Sequence, residues 1–231
     1  MDKIQILDLG GSIVAPEVID TKFLQEMRDF LQAWLEEDKE RKLILIIGGG
    51  APARKYQAAY KGTEADPATE ELDWIGIMAT RLNAQLMKAV MGPLCLDDVV
   101  TDPTKVKSMK GRVLVAAGWK PGFSTDYDAV LLAENFKAPT ILNLSNIKKV
   151  YSADPNLDSS AVPLDSLSWE EYQRMCGHTW TPGKNTPFDP IATQKARDLG
   201  LKVIAADGRD LANLKNIFYG HEYTGTLIGP E

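Results

Sequence analysis

The feature that most constrains this chain is a pattern, repeated three times, in which an apolar segment ends in a glycine turn and leads toward a helix. The three segments with their turns are Ile4–Leu9 before Gly10-Gly11-Ser12, Lys42–Ile47 before Gly48-Gly49-Gly50, and Val113–Ala116 before the turn from Gly118 to Thr125. Short, continuous apolar runs are typical of strands that are buried on both faces of a sheet. Their alternation with helices predicts an α/β fold with a mainly parallel sheet.

Helical periodicity fills the intervals between these strands. Apolar residues recur every three or four positions over residues 23–34, after a capping residue at Asp20 or Thr21. A second apolar stripe over residues 75–90 predicts a longer helix that also carries Asp73, Arg81 and Asn83. The remaining predicted elements are a helix opened by Ser124-Thr125-Asp126, a strand at 140–144, helices at 169–175 and 189–199, and strands at 202–206 and 225–228.

Composition excludes several functional classes. The 231 residues are 44% hydrophobic and contain no internal repeat, so we expect a single domain with a substantial core. No apolar run reaches the roughly 20 residues that a membrane helix needs, and the N-terminus shows no secretory pattern. We therefore expect a cytoplasmic protein that does not span a membrane. A net charge of −6 also disfavours general nucleic-acid binding.

The few cysteines and histidines argue against a metal centre. Cys95 and Cys176 each lack a second thiol at C-x-x-C spacing, and His178 and His221 are the only histidines. We expect two buried, reduced thiols, no metal held by protein ligands and no catalytic histidine.

The glycine turns indicate a site for phosphate groups. In an open parallel sheet such turns gather along one edge, and glycine lets backbone N–H groups approach phosphate oxygens. The sequence contains no G-x-x-x-x-G-K-[ST] motif, and no G-x-G-x-x-G motif follows a strand, which disfavours the P-loop and dinucleotide folds. Arg54 follows the second turn closely, and its guanidinium fork matches phosphate geometry. The sequence thus predicts a phosphate-handling edge in another α/β fold.

Five motifs in order resemble the amino acid kinase superfamily, and within it the archaeal-type UMP kinases. They are Leu9-Gly10-Gly11-Ser12, residues 48–56, Ile75-Gly76-Ile77 with Thr80-Arg81-Leu82-Asn83-Ala84, residues 121–126, and residues 150–155. Together with Gly225-Thr226-Leu227-Ile228 they cover nearly the whole chain. The resemblance implies a three-layer αβα sandwich. It also implies that residues 1–140 form a phosphate-acceptor lobe and residues 141–231 an ATP-binding lobe.

The resemblance further implies a reaction and its residues. The reaction is phosphoryl transfer from ATP, accompanied by Mg²⁺, to UMP, in a homo-oligomer that is a hexamer in the family. The implied catalytic residues are Arg54 and Asp126. The implied UMP-binding residues are Gly49, Asp73, Trp119, Lys120, Pro121, Gly122, Phe123, Ser124 and Thr125. The implied ATP-binding residues are Asp8, Leu9, Gly10, Gly11, Ser12, Gly50, Arg54, Ser145, Tyr151 and Asp154.

The chain also departs from the family pattern. Asp8 stands where many members have a lysine, Lys148-Lys149 replace an acid and a glycine, and Lys184 lies in a late loop that usually has small residues. These departures keep two alternatives open. One is a nucleotide-binding storage or regulatory protein with little turnover, and the other is a kinase of another small acid or phosphate.

Overall fold

The computed structural model describes residues 3–155, 157–177 and 186–230. Its strands are β1 (Ile4–Leu9), β2 (Lys42–Ile47), β3 (Val113–Ala116), β4 (Thr140–Ser145), β5 (Val150–Tyr151), β6 (Pro163–Leu164), β7 (Ser166–Leu167), β8 (Lys202–Asp207) and β9 (Thr226–Ile228). Its helices are α1 (Gly11–Val14), α2 (Thr21–Glu36), α3 (Gly50–Thr63), α4 (Thr69–Met91), α5 (Thr125–Phe136), α6 (Trp169–Cys176), α7 (Pro190–Asp198) and α8 (Leu211–Tyr219). Two short 3₁₀ helices, Gly92–Leu94 and Pro103–Lys105, follow α4.

Seven of the described strands form one sheet, in the order β3-β2-β1-β4-β8-β9-β7. The five strands from β3 to β8 are mutually parallel, β9 is antiparallel to β8, and β7 is parallel to β9. In this register Asp8 of β1 lies between Ile46 of β2 and Asn143 of β4. The five parallel strands end at one edge of the sheet, so the predicted mainly parallel sheet is confirmed.

Helices cover both faces of the sheet. Successive side chains of a strand point to opposite faces, so the apolar strands present apolar side chains on both. Along β2, Leu43, Leu45 and Ile47 join one buried cluster, whereas Ile44 and Ile46 join the other. The first cluster includes residues of α2, α4 and α8, and the second includes residues of α5, α6 and α7. The architecture is therefore a three-layer αβα sandwich, as the resemblance implies.

Several elements were not predicted from the sequence. Helix α8 has only nine residues, although Asp210 caps it and Leu214 and Phe218 are buried. Strands β5, β6 and β7 have two residues each, too few to show a periodicity. The prediction for α2 included its cap, and the carboxylate of Asp20 accepts a hydrogen bond from the backbone N–H of Phe23 at 3.0 Å.

Both cysteines, Cys95 and Cys176, are buried, as predicted. Among the described residues no helix is both long and apolar enough to cross a bilayer. The predictions that concern His178 and the late loop with Lys184 lie outside the described residues.

Candidate functional site

The first two glycine turns pack directly against each other where β1 and β2 end. A Cβ atom at Gly11 would lie 1.8 Å from the backbone nitrogen of Gly50, so a side chain has no room there. Gly50 has a φ of +64°, and a Cβ atom at this position would lie 2.4 Å from the carbonyl oxygen of Ala15. Glycine at both positions therefore lets two stretches of backbone meet and keeps side chains out of this part of the edge.

Side chains of α4 hold the second and third turns in place. The Asn83 amide donates to the carbonyl oxygens of Gly48 and Gly49, at 2.8 and 3.0 Å. One turn earlier, the Thr80 hydroxyl accepts the backbone N–H of Gly118 at 2.8 Å. Both side chains are buried, so α4 fixes the spacing between two of the turns from beneath.

We call residues 118–124 the Trp119 loop. Arg81 donates to the carbonyl oxygen of Trp119 at 3.1 Å, and Asp128 accepts the N–H of the same residue at 3.1 Å. Farther along, a carboxylate oxygen of Asp73 accepts the N–H of Gly122 at 2.9 Å. The loop is thus bonded to α4 at Gly118, Trp119 and Gly122, and to α5 at Trp119.

The Trp119 loop carries a row of aromatic rings. The ring centroids of Trp119 and Phe123 are 5.3 Å apart, and those of Phe123 and Tyr127 are 4.7 Å apart. The ammonium nitrogen of Lys120 lies 3.9 Å from the centroid of the Trp119 ring, within cation–π range. These partly exposed rings, with a cation beside them, form a surface suited to a flat, anionic ligand.

Three carboxyl groups meet at the carboxyl end of β1. Burial raises the pKa of Asp8 to about 6, with a further increase from the charge of Asp128 and opposition from hydrogen bonds with Asp126 and Thr125. Removal from water, and then the charge of Asp8, raise the pKa of Asp126 well above its usual range. Asp126 also accepts the backbone N–H of Asp189 at 2.6 Å. A hydrogen bond between the Asp8 and Asp126 carboxyl groups requires a proton on one of them, and the raised pKa of Asp126 lets the pair hold that proton.

The third carboxyl group, that of Asp189, serves mainly as a cap. One of its oxygens accepts the N–H groups of Ile191 and Ala192 at the start of α7, at 2.8 and 2.7 Å. Within the part of the chain that the structure describes, no group of three or more His, Cys, Asp or Glu residues is arranged to hold a metal ion.

Asp128 is a further buried acid near the Trp119 loop. It is 0% exposed, and burial raises its pKa to about 8, although the N–H of Trp119 lowers it and the charge of Asp126 raises it. At neutral pH the carboxyl group is therefore mostly protonated.

Arg54 lies on the first part of α3, on the exposed side of the glycine edge. Its neighbour Lys55 forms an ion pair with Glu17 at 2.7 Å. The pKa of Glu17 is lowered chiefly by Lys55 and to a smaller extent by the charge of Arg54. Arg54 is therefore an exposed cation beside the glycine turns, as a site for phosphate groups requires, whereas Lys55 is paired with Glu17.

Residues predicted to bind ATP divide between the glycine edge and a separate hairpin. Gly10 donates to the carbonyl oxygen of Leu144 at 2.8 Å, which brings the first turn against Ser145 at the end of β4. Tyr151 lies on β5, which pairs with β6, and Asp154 is exposed in the following turn.

Lys149 has an ordinary backbone conformation, since Lys137 is the one non-glycine residue with positive φ among those described. Its ammonium group pairs with the carboxylate of Asp165, whereas Lys148 is exposed. The glycine of the family pattern is thus not required by the backbone here.

No role was predicted for Thr80, Arg81, Asn83 or Asp128, although the first three lie in a motif that carries the family resemblance. The sequence did indicate that Asp128 is unusual, because this acid lies in the apolar stretch of α5 beside Ala129 and Val130. The roles of the α4 residues were harder to predict, because polar side chains are common on helices. Only the tertiary structure brings these side chains to the turns.

Comparisons with known proteins agree with this geometry. The sequence pattern of the amino acid kinase family matches residues 3–207. The uridylate kinase of Methanospirillum hungatei JF-1 is 31% identical over 226 residues, covering 96% of this chain and 93% of the relative. That of Methanosarcina acetivorans is 34% identical, covering 92% of this chain and 90% of the relative. The crystal structure of uridylate kinase from Archaeoglobus fulgidus superposes with a TM-score of 0.81 at 30% identity, over 99% of this chain and 100% of that one.

Proposed function

The chain belongs to the amino acid kinase family, and we propose that it transfers the γ-phosphoryl group of ATP to the phosphate of UMP, yielding UDP and ADP. The observation that carries this proposal is the meeting of three glycine-containing turns at one sheet edge, beside an aromatic loop. The names and full-length similarity of the archaeal relatives support UMP as the acceptor.

Phosphoryl transfer requires a site that aligns ATP with UMP and neutralises the charge of their phosphates, and it needs no covalent enzyme intermediate. On the ATP side, Asp8, Leu9, Gly10, Gly11, Ser12 and Gly50 border the phosphates. Arg54 supplies a cation to the transferring group, where the negative charge is spread over several oxygens. Asp126 holds its place at the start of α5 through its bonds with Asp8 and Asp189. Since Asp8 and Asp126 can share a proton, the pair presents less negative charge to the phosphates than two carboxylates would.

Acceptor binding falls to the second turn and the Trp119 loop. Gly49 approaches the UMP phosphate, and Asp73 accepts from a ribose hydroxyl with the oxygen that does not bind Gly122. The segment from Trp119 to Thr125 surrounds the nucleotide, with its aromatic rings available to the pyrimidine. This division supports residues 1–140 as the acceptor lobe.

The adenosine of ATP binds to residues 141–231, where Ser145, Tyr151 and Asp154 hold it, whereas the ATP phosphates lie against the glycine turns of the first lobe. Mg²⁺ would accompany ATP and would neutralise part of the phosphate charge, and it would retain waters and need few protein ligands. The reaction places the protein in pyrimidine nucleotide biosynthesis, in the cytoplasm.

We extend the proposal to a homo-oligomer, a hexamer by family resemblance. Exposed apolar side chains recur every fourth position on α4, at Trp74, Met78 and Leu82, which are 36, 57 and 68% exposed. A stripe of this kind favours contact with a second copy of the chain. Sedimentation at several protein concentrations measures the assembly, and a monomer at all of them would contradict it.

The acceptor is tested by coupling ADP release to an optical signal, with MgATP and a panel of acceptors: UMP, CMP, dUMP, AMP, GMP and small carboxylic acids. We expect turnover with UMP and strong discrimination against purine monophosphates, because a site that hydrogen-bonds one base leaves polar groups unpaired with another. Equal turnover of AMP or GMP would overturn the choice of UMP. Turnover of a small acid alone would indicate another kinase, and tight nucleotide binding without turnover would indicate a storage or regulatory protein.

A further inference from the structure

Both polar groups of the Trp119 backbone are bonded to side chains rather than to other backbone groups. Arg81, on α4, donates to the carbonyl oxygen of Trp119 at 3.1 Å and to that of Gly118 at 3.4 Å. Asp128, on α5, accepts the N–H of Trp119 at 3.1 Å. Two helices that belong to opposite faces of the sheet therefore meet at one residue of the loop.

These two side chains are costly to bury. The second oxygen of Asp128 and the Nε of Arg81 are both buried, and neither has a hydrogen-bond partner among the described residues. An apolar residue at either position would avoid this loss, because unsatisfied buried polar groups are unfavourable. Stability of the fold therefore does not explain why Arg81 and Asp128 occupy these positions. Their hydrogen bonds to the Trp119 loop do.

We propose that Arg81 and Asp128 are positioning residues that set the Trp119 loop for the nucleoside monophosphate acceptor. The inference rests on the proposed function, since it takes this loop as the acceptor-binding loop. Fixing the backbone of Trp119 places its ring 5.3 Å from that of Phe123 and 3.9 Å from the ammonium of Lys120. The flat surface offered to a base thus depends on two residues that do not themselves form it.

Loss of this positioning weakens acceptor binding and leaves the donor side intact. The second turn, which carries Gly50 of the donor side, is held by hydrogen bonds from Asn83 to Gly48 and Gly49, independently of Arg81. The first turn is anchored separately, by the bond from Gly10 to Leu144. We therefore expect the KM for UMP to respond, while the KM for ATP and the kcat change little.

Arg81→Met tests the first residue, and Arg112→Met is its matched control. Arg112 also donates to backbone carbonyl oxygens, those of Leu35 at 2.5 Å and Arg41 at 3.0 Å, but it lies before β3, away from the carboxyl edge. Arg81→Met should raise the KM for UMP roughly tenfold or more, the effect of losing a charged hydrogen bond. Arg112→Met should lower the melting temperature and leave that KM unchanged. Equal increases in the KM for UMP and ATP, or an unchanged KM for UMP in folded Arg81→Met, would overturn the proposal.

Asp128 supplies a second test that survives if Arg81→Met fails to fold. Asp128→Asn keeps a carbonyl oxygen for the N–H of Trp119, so its KM for UMP should stay within about threefold of the wild-type value. Asp128→Ala removes the acceptor and should raise that KM well beyond the value of the Asn variant. Equal KM values in the Asn and Ala variants would contradict a role for this hydrogen bond.

A readout without turnover separates this inference from the proposed function. Amide hydrogen exchange of residues 118–124 should be faster in Arg81→Met than in wild type, and unchanged in Arg112→Met. If the wild-type protein fails to phosphorylate UMP, the proposed function is wrong, and exchange still tests whether Arg81 orders the loop. Unchanged exchange in Arg81→Met would overturn the positioning role in either case.

Discussion

At the scale of single residues, the site is shaped by acids that are kept out of water. Asp8 is 3% exposed and lies next to the last residue of β1. Burial and the charge of Asp128 raise its pKa, whereas the hydrogen bond with Asp126 lowers it. A proton held between two such carboxyl groups reduces their negative charge at a place where phosphates are expected. Asp8 thus supplies a carboxyl where many relatives of this superfamily supply an ammonium, and the local charge depends on pH instead of being fixed.

The pH dependence of stability tests this arrangement. The pKa of Asp8 is raised above its ordinary value, so its protonated form favours the folded state, and this contribution is lost as pH rises from about 4 through about 6. The unfolding free energy of wild type should therefore fall relative to Asp8→Asn over this window, by on the order of 2–3 kcal/mol. Urea unfolding at pH 4, 5, 6 and 7 measures it. Asp29→Asn, at an exposed position, serves as control, and a difference that does not vary with pH would refute the assignment.

Arg54 and Lys55 make a second test at this scale, because both are exposed cations in neighbouring positions. Arg54→Ala should lower kcat by about 100-fold or more, since it removes a cation from the charge that develops during transfer. Lys55→Ala breaks only a surface ion pair with Glu17 and should leave kcat within about twofold. Steady-state kinetics with saturating UMP and MgATP distinguish them, and similar losses in both variants would make the effect of Arg54 non-specific.

At the scale of elements, α4 determines where the turns lie. Thr80, Arg81 and Asn83 lie within one turn of the helix. The first two bind backbone groups of the Trp119 loop, and Asn83 binds those of the second glycine turn. The glycine turns complete the arrangement by letting the backbone of one strand end touch that of the next. The edge that we propose to bind phosphates is therefore built mostly from backbone, with a helix setting its spacing.

A glycine substitution tests this contact. Gly11→Ala would place a Cβ atom 1.8 Å from the backbone nitrogen of Gly50, which cannot move aside as a side chain would. We expect a loss of at least about 2 kcal/mol in unfolding free energy and a sharp fall in activity. Gly62→Ala is the matched control, since nothing lies within 4 Å of its Cβ, and it should be neutral or stabilise by about 0.5 kcal/mol. Thermal denaturation measures both, and equal stability of the two variants would contradict direct packing of the turns.

At the scale of the whole molecule, periodic features were readable from the sequence and long-range pairings were not. Continuous apolar residues predict buried strands such as Lys42–Ile47, and the glycine turns mark the ends of these strands. Helix α8 and the two-residue strands are too short for an apolar periodicity that would predict them from the sequence. The bonds of Arg81 and Asp128 to Trp119 join residues 38 and 9 positions apart, and only the packing of α4 and α5 about the sheet brings them together. The position of Arg54 near the second turn followed from its place in the sequence, whereas the role of Asp73 followed from motif resemblance.

The path of the phosphoryl group tests the proposed reaction most directly. ATP labelled at the γ-phosphate is mixed with UMP, Mg²⁺ and an excess of protein, and the products are followed by phosphorus NMR or by separation of the labelled species. We expect the label to appear on the β-phosphate of UDP, with one ADP formed for each UDP. Label released as inorganic phosphate, or retained in ATP while nucleotides stay bound, would contradict UMP phosphorylation by this protein.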